Sequence, residues 1–100
     1  MSSLGTELKI NIHIDQLDNY KMKDIDFVCR FFIYADKYIE LTKDEMIYVD
    51  DDNYMACIDS FKLGVGEIKV RITAQVPDKD FDDGYRQEVV TATTGIIISK

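Results

Sequence analysis

Glu67-Ile68-Lys69-Val70-Arg71-Ile72-Thr73-Ala74-Gln75-Val76 alternates apolar and polar side chains without a break. Successive side chains of an extended chain point to opposite faces, so this stretch is a strand with one face in a core and the other toward solvent. Pro77 has no N–H to give to a ladder and ends it, and Gly64-Val65-Gly66 turns the chain into it. The same period recurs on both sides. Leu8, Ile10, Ile12 and Ile14 alternate with Lys9, Asn11, His13 and Asp15, and Ile25, Phe27, Cys29, Phe31 and Ile33 occupy one phase of 24–34. Shorter runs at 38–41 and 54–59 have strand length. A β-branched run at 86–99 is broken at Gly95, the signature of a bulge.

Turn chemistry separates the runs. Residues 16–23 are polar, Ala35-Asp36-Lys37 suits a hairpin, Asp50-Asp51-Asp52-Asn53 can bond its own backbone, and 77–84 forms a second acidic loop. Thr42-Lys43-Asp44-Glu45, followed by Met46 and Ile47, has capping-box spacing, with room for about one helical turn. The expectation is a single domain over residues 1–100, an all-β, Ig-like antiparallel sandwich of about six to seven strands. Cys29 and Cys57 are expected as two buried, reduced thiols, too near in sequence for the usual inter-sheet bridge and with no Trp to pack on one.

Composition narrows the function classes. Twelve Lys and Arg stand against 19 Asp and Glu, a net charge of −7, which argues against a nucleic-acid backbone or an anionic lipid surface as partner. No apolar run has the length of a membrane span, and Met1-Ser2-Ser3-Leu4-Gly5 lacks the pattern of a signal peptide. His13, the one histidine, lies on the polar phase of its strand, with no nucleophile context around Ser2, Ser3, Ser60 or Ser99. Gly64-x-Gly66 precedes a strand, where phosphate loops need a helix N-terminus. No enzyme and no cofactor are expected. Asp78, Asp80 and Asp82 alternate as in a calcium loop, but Gly84 falls one place late and Val89 stands where the closing Glu belongs.

The residues that stand out are apolar where solvent is expected. The face of 24–34 opposite the core reads Asp24, Asp26, Val28, Arg30, Phe32, Tyr34, turning aromatic in its second half. Tyr38 follows after a short turn, and Ile97 lies on the outward phase of the last strand. A contiguous patch of this kind marks a contact surface, so Val28, Phe32, Tyr34, Tyr38 and Ile97 are the expected interface. Gly95-Ile96-Ile97-Ile98, uncharged, is expected to be central in a sheet or covered by a partner. Self-association is expected, with a two-fold dimer as the default.

Several segments carry a family resemblance: Asp24-Ile25-Asp26-Phe27, Ile39-Glu40-Leu41-Thr42-Lys43, Asp52-Asn53-Tyr54-Met55-Ala56 and Gly64-x-Gly66-Glu67-Ile68. Pro77-Asp78-x-Asp80-Phe81-x-Asp83-Gly84-x-Arg86 and Thr94-Gly95-Ile96 continue the series. In this order, over most of residues 8–98, the chain resembles small Ig-like virion proteins of tailed phages, including crAss-like phages of Bacteroidetes. It is also similar to the N-terminal domain of the baseplate upper protein family. The resemblance implies a structural protein of the virion, assembled in the host cytoplasm, with capsid, portal-proximal or tail proteins as partners. The larger members continue into stalk or receptor-binding regions, so an attachment or decoration module such as a head-fibre or baseplate accessory is implied here. Two other readings remain open. The acidic loops, with Asp50–Asp52 or with Phe81 and Tyr85 beside Asp82 and Asp83, could grip calcium or a glycan, or the negative surface could mask a basic enzyme.

Overall fold

The computed structural model describes residues 2–3, 5–14 and 20–99. The strands are β1 (Ser2–Ser3), β2 (Glu7–Ile12), β3 (Asp26–Tyr34), β4 (Lys37–Thr42), β5 (Ile47–Asp50), β6 (Asn53–Asp59), β7 (Gly66–Pro77) and β8 (Tyr85–Ser99). A five-stranded sheet in the order β1-β8-β7-β3-β4 faces a three-stranded sheet in the order β2-β6-β5. Every pair is antiparallel except β1 with β8, where Ser2 and Ser3 run parallel beside Ile98 and Ser99. With β2, β6 and β5 as strands B, E and D, and β8, β7, β3 and β4 as G, F, C and C′, this is the strand order of an Ig-like sandwich.

Alternation builds the core. Phe27, Cys29 and Phe31 on β3 and Ile68, Val70, Ile72, Ala74 and Val76 on β7 point inward against Leu8, Ile10, Ile12, Tyr54, Ala56 and Ile58 of the small sheet. Each fully buried large side chain of this set contributes roughly 1.5–3 kcal/mol relative to exposure. Tyr54 fits because its ring meets Phe27 edge-on at 5.3 Å and Tyr48 edge-on at 5.6 Å. Ser60, buried in the turn after β6, is satisfied: its Oγ accepts the Gly5 N–H at 2.9 Å.

The all-β antiparallel sandwich expected from the sequence is present; one expectation, the burial of Cys57, is corrected, and three details refine the rest. First, β5 adds a strand that periodicity did not reveal: all four of its residues are exposed at a sheet edge, so no alternation was imposed on them. Second, Cys57 is exposed, because β6 turns Tyr54, Ala56 and Ile58 inward and the odd positions outward; only Cys29 is buried. Third, one pairing, β1 with β8, is parallel. Fourth, β8 is central only near its end: β1 flanks Ile98 and Ser99, and Ile97 is 45 % exposed.

The expected helical turn is a single 3-10 turn, Lys43–Glu45, closed by the Glu45 carboxylate, which accepts the Thr42 N–H and Oγ1–H at 3.1 Å each. The Gly95 break is real as well. Gly95 has φ +78°, and β8 places three residues between Thr93 and Ile97 where β7 places only Ile68 between Lys69 and Glu67. The expected strand residue Asp15 and the first half of the turn at 16–23, residues 16–19, lie outside the described residues.

Candidate docking interface

β3 lies between β4 and β7, so its outward phase sets the middle of one broad face. Registers pair Phe32 with Tyr38 and Lys69, Arg30 with Glu40 and Arg71, and Val28 with Thr42 and Thr73. On β8, Thr91 lies beside Arg71 and Val89 beside Thr73. Val28, Phe32 and Tyr38, expected as interface residues, therefore share one surface with Arg30, Lys69, Arg71 and Val89. Tyr38 is 49 % and Val89 51 % exposed, whereas Phe32 and Val28 are half-buried among their neighbours. Ile97 faces the same way beyond the Gly95 bulge, beside Glu67.

Tyr34 is placed differently. A one-residue bulge on β3 between Phe32 and Tyr34 shifts it toward the corner before β7. Its hydroxyl donates to the Val65 carbonyl at 3.1 Å, and its ring lies 3.8 Å from where a Gly64 Cβ would stand. The chain's own loop thus supports Tyr34 while leaving it 55 % exposed.

The electrostatics of the face are uneven. Arg30 donates to Glu40 through Nε at 3.1 Å and Nη2 at 3.0 Å, and its guanidinium stacks 4.2 Å over the Tyr38 ring. Arg71 stands directly across from Arg30 and lies over Phe32 at 5.9 Å. Like charges directly opposite on a sheet repel. Arg71 and Lys69 make no ion pair with a carboxylate among the described residues. Between the two arginines a small cleft of about 130 Å³ is lined by Val28, Arg30, Glu40, Arg71 and Thr73. Such a surface offers aromatic and aliphatic contact area with exposed cationic donors at its centre. Periodicity had placed Arg71 on a polar phase, but only the register shows it opposite Arg30.

The acidic turns gather at the other end. The Lys23 N–H donates to Asp51 O at 3.2 Å, which ties the β5–β6 turn to the segment entering β3, and β3 starts opposite Gln75, close to Pro77. Asp50 Oδ1 accepts the Asp52 N–H at 2.9 Å and Asn53 Nδ2 at 2.8 Å, bonds that hold its carboxyl below the usual range. Asp51 accepts the Tyr48 hydroxyl, which lowers the Asp51 pKa and lifts that of Tyr48 to about 12. In the 78–84 loop, Asp78 accepts the Asp80 N–H at 3.0 Å and Arg86 Nη1 at 3.2 Å, and Asp83 accepts the Tyr85 N–H at 3.1 Å. Asp78, Asp80 and Asp82 are not assembled as a ligand set: no cluster of three metal-ligating side chains occurs among the described residues. Phe81 and Tyr85 are exposed, but neither lines the open depression beside this loop, where Tyr20 and Arg86 do.

His13 is exposed, its Nδ1 2.9 Å from Asp52 O. Burial pushes the Cys29 thiol up to about 12, which leaves it protonated and unreactive. A concavity of about 460 Å³ runs between β2 and β8 over Ile10, Ile12, Val70, Ile72, Val90 and Ile96. Compared with family models, with curated proteins and with solved structures, the chain matches none.

Proposed function

We propose that this chain is a structural docking module, which holds a neighbouring subunit of a larger particle against the outer face of its five-stranded sheet. The observation that carries this reading is the contiguous surface of Val28, Phe32, Tyr38 and Val89 around Arg30 and Arg71. Single exposed apolar residues are normal on a solvated face, but a contiguous patch of them marks a contact surface. This one has stiff rings with cations stacked on them, the composition of protein contact surfaces. The resemblance to small Ig-like virion proteins supplies the setting: a tailed-phage particle, with capsid, portal-proximal or tail proteins as the docking partners and with no enzymatic step.

The test is incorporation. Particles purified from the source culture are assayed for the chain by mass spectrometry, and tagged wild type is compared with Phe32→Ala/Tyr38→Ala for retention on the particle. The reading predicts a fixed copy number of wild type per particle and loss of the double variant at unchanged thermal stability. Absence of the chain from particles, or full retention of the variant, would refute it.

A further inference from the structure

We infer that one partner of the docking face is a second copy of this chain, which presents the tip of its 78–84 loop, Asp80-Phe81-Asp82-Asp83, head to tail. The inference rests on the docking reading above and deepens it by naming what the face receives.

Charge is the first argument. Arg30 and Arg71 face each other across β3 and β7, with Glu40 engaged by Arg30 alone, so the face lacks a carboxylate at Arg71. The loop tip has the converse surplus. Asp78 is taken by Arg86 and Asp83 by the Tyr85 amide, but Asp80 and Asp82 make no ion pair among the described residues. Pairing them with Arg71 and Lys69 across a contact would relieve repulsion on both surfaces.

Apolar shape is the second argument. Phe81 stands 51 % exposed between those two aspartates, held by a compact turn in which the Phe81 N–H donates to Asp78 O and Phe81 O accepts the Gly84 N–H. An exposed ring flanked by carboxylates matches a face on which Phe32 and Tyr38 are flanked by Lys69, Arg71 and Arg30.

Geometry makes the contact intermolecular. The loop leaves β7 after Pro77, and six residues of extended chain separate Pro77 from Arg71 and eight from Lys69, about 20–26 Å at 3.3 Å per residue. That is about three Debye lengths at physiological salt, so the loop cannot neutralise its own face. A 48 Å long molecule with complementary patches toward opposite ends of one strand is built for a heterologous contact, which extends into a line or closes into a ring.

The experiment is sedimentation velocity on the full chain. Wild type should associate with rising concentration at low salt and dissociate at about 0.5 M NaCl. Lys69→Glu/Arg71→Glu and, separately, Asp80→Lys/Asp82→Lys should each weaken association by at least about tenfold. Mixing the two variants should restore it, since each then meets the reversed charge on the other; circular dichroism confirms that each is folded. Wild type that stays monomeric at every salt and concentration, or variants that do not rescue each other, would overturn the inference. If self-association is absent while Phe32→Ala/Tyr38→Ala still loses the particle, the face has only foreign partners. If both results are negative, the docking reading fails with it.

Discussion

Gly66→Ala tests the corner that supports one end of the proposed docking face. Gly66 opens β7 with φ +138°, a conformation that side-chain-bearing residues rarely adopt. A Cβ there would stand 2.7 Å from Ile33 Cγ2, inside van der Waals contact, and Ile33 is β-branched and packed against the core, so it yields poorly. The backbone penalty is about 1–2 kcal/mol and the steric overlap costs a similar amount, about 3 kcal/mol together. For a domain of this size, that lowers Tm by about 12–24 °C. Gly84→Ala is the control: φ is +81° but nothing lies within 4 Å of the added carbon, so only the backbone share should be lost. Thermal and urea melts followed by circular dichroism measure both. Adding Ile33→Ala to Gly66→Ala should recover about 1 kcal/mol or more relative to the sum of the single changes. A Gly66→Ala loss no larger than that of Gly84→Ala, or strict additivity with Ile33→Ala, would refute the close approach.

Three further outcomes follow from the same contacts. Arg71→Glu should leave the urea midpoint unchanged or raise stability by about 0.5 kcal/mol, because it turns a like-charge cross-strand pair into an opposite one; a fall of more than about 1 kcal/mol would mean that Arg71 is held by contacts other than those described. A thiol reagent should modify one cysteine, Cys57, in the folded chain and reach Cys29 only on unfolding; fast labelling of both would contradict the inward phase of β3. The Asp50 and Asp51 carboxyls are held below their ordinary 3.8 by Asn53 and by Tyr48, so they stabilise the fold above that value and lose this as pH falls through their lower folded values. Urea midpoints from about pH 5 to about pH 2 should therefore drop less steeply for Asp50→Asn than for wild type, and identical slopes would count against the turn geometry.

Much of the fold was legible because it rests on alternation. The β2, β3 and β7 residues that alternate in sequence are those that alternate in burial, and Pro77 ends β7 as its missing N–H requires. Where burial imposes no pattern, the sequence was silent. Ile47-Tyr48-Val49 reads as an unpatterned apolar run because β5 has no buried face, and Cys57 on a half-buried strand could not be assigned a side without the register. The proposed docking face was visible only in part, for the same reason. Val28, Phe32 and Tyr38 stood out as apolar residues on a solvent phase, yet Arg71 is distant from them in sequence and is brought to Arg30 by β3–β7 pairing. Tyr34 belongs to the same run, but a bulge, which no spacing announced, turns it toward Val65.

The most direct measurement is side-chain footprinting by hydroxyl radicals on the free chain and on the assembled particle. Phe32 and Tyr38 should lose reactivity severalfold on assembly, while Tyr48, 54 % exposed on the small sheet, keeps its own. Equal reactivity of Phe32 and Tyr38 in both states would contradict docking through this face.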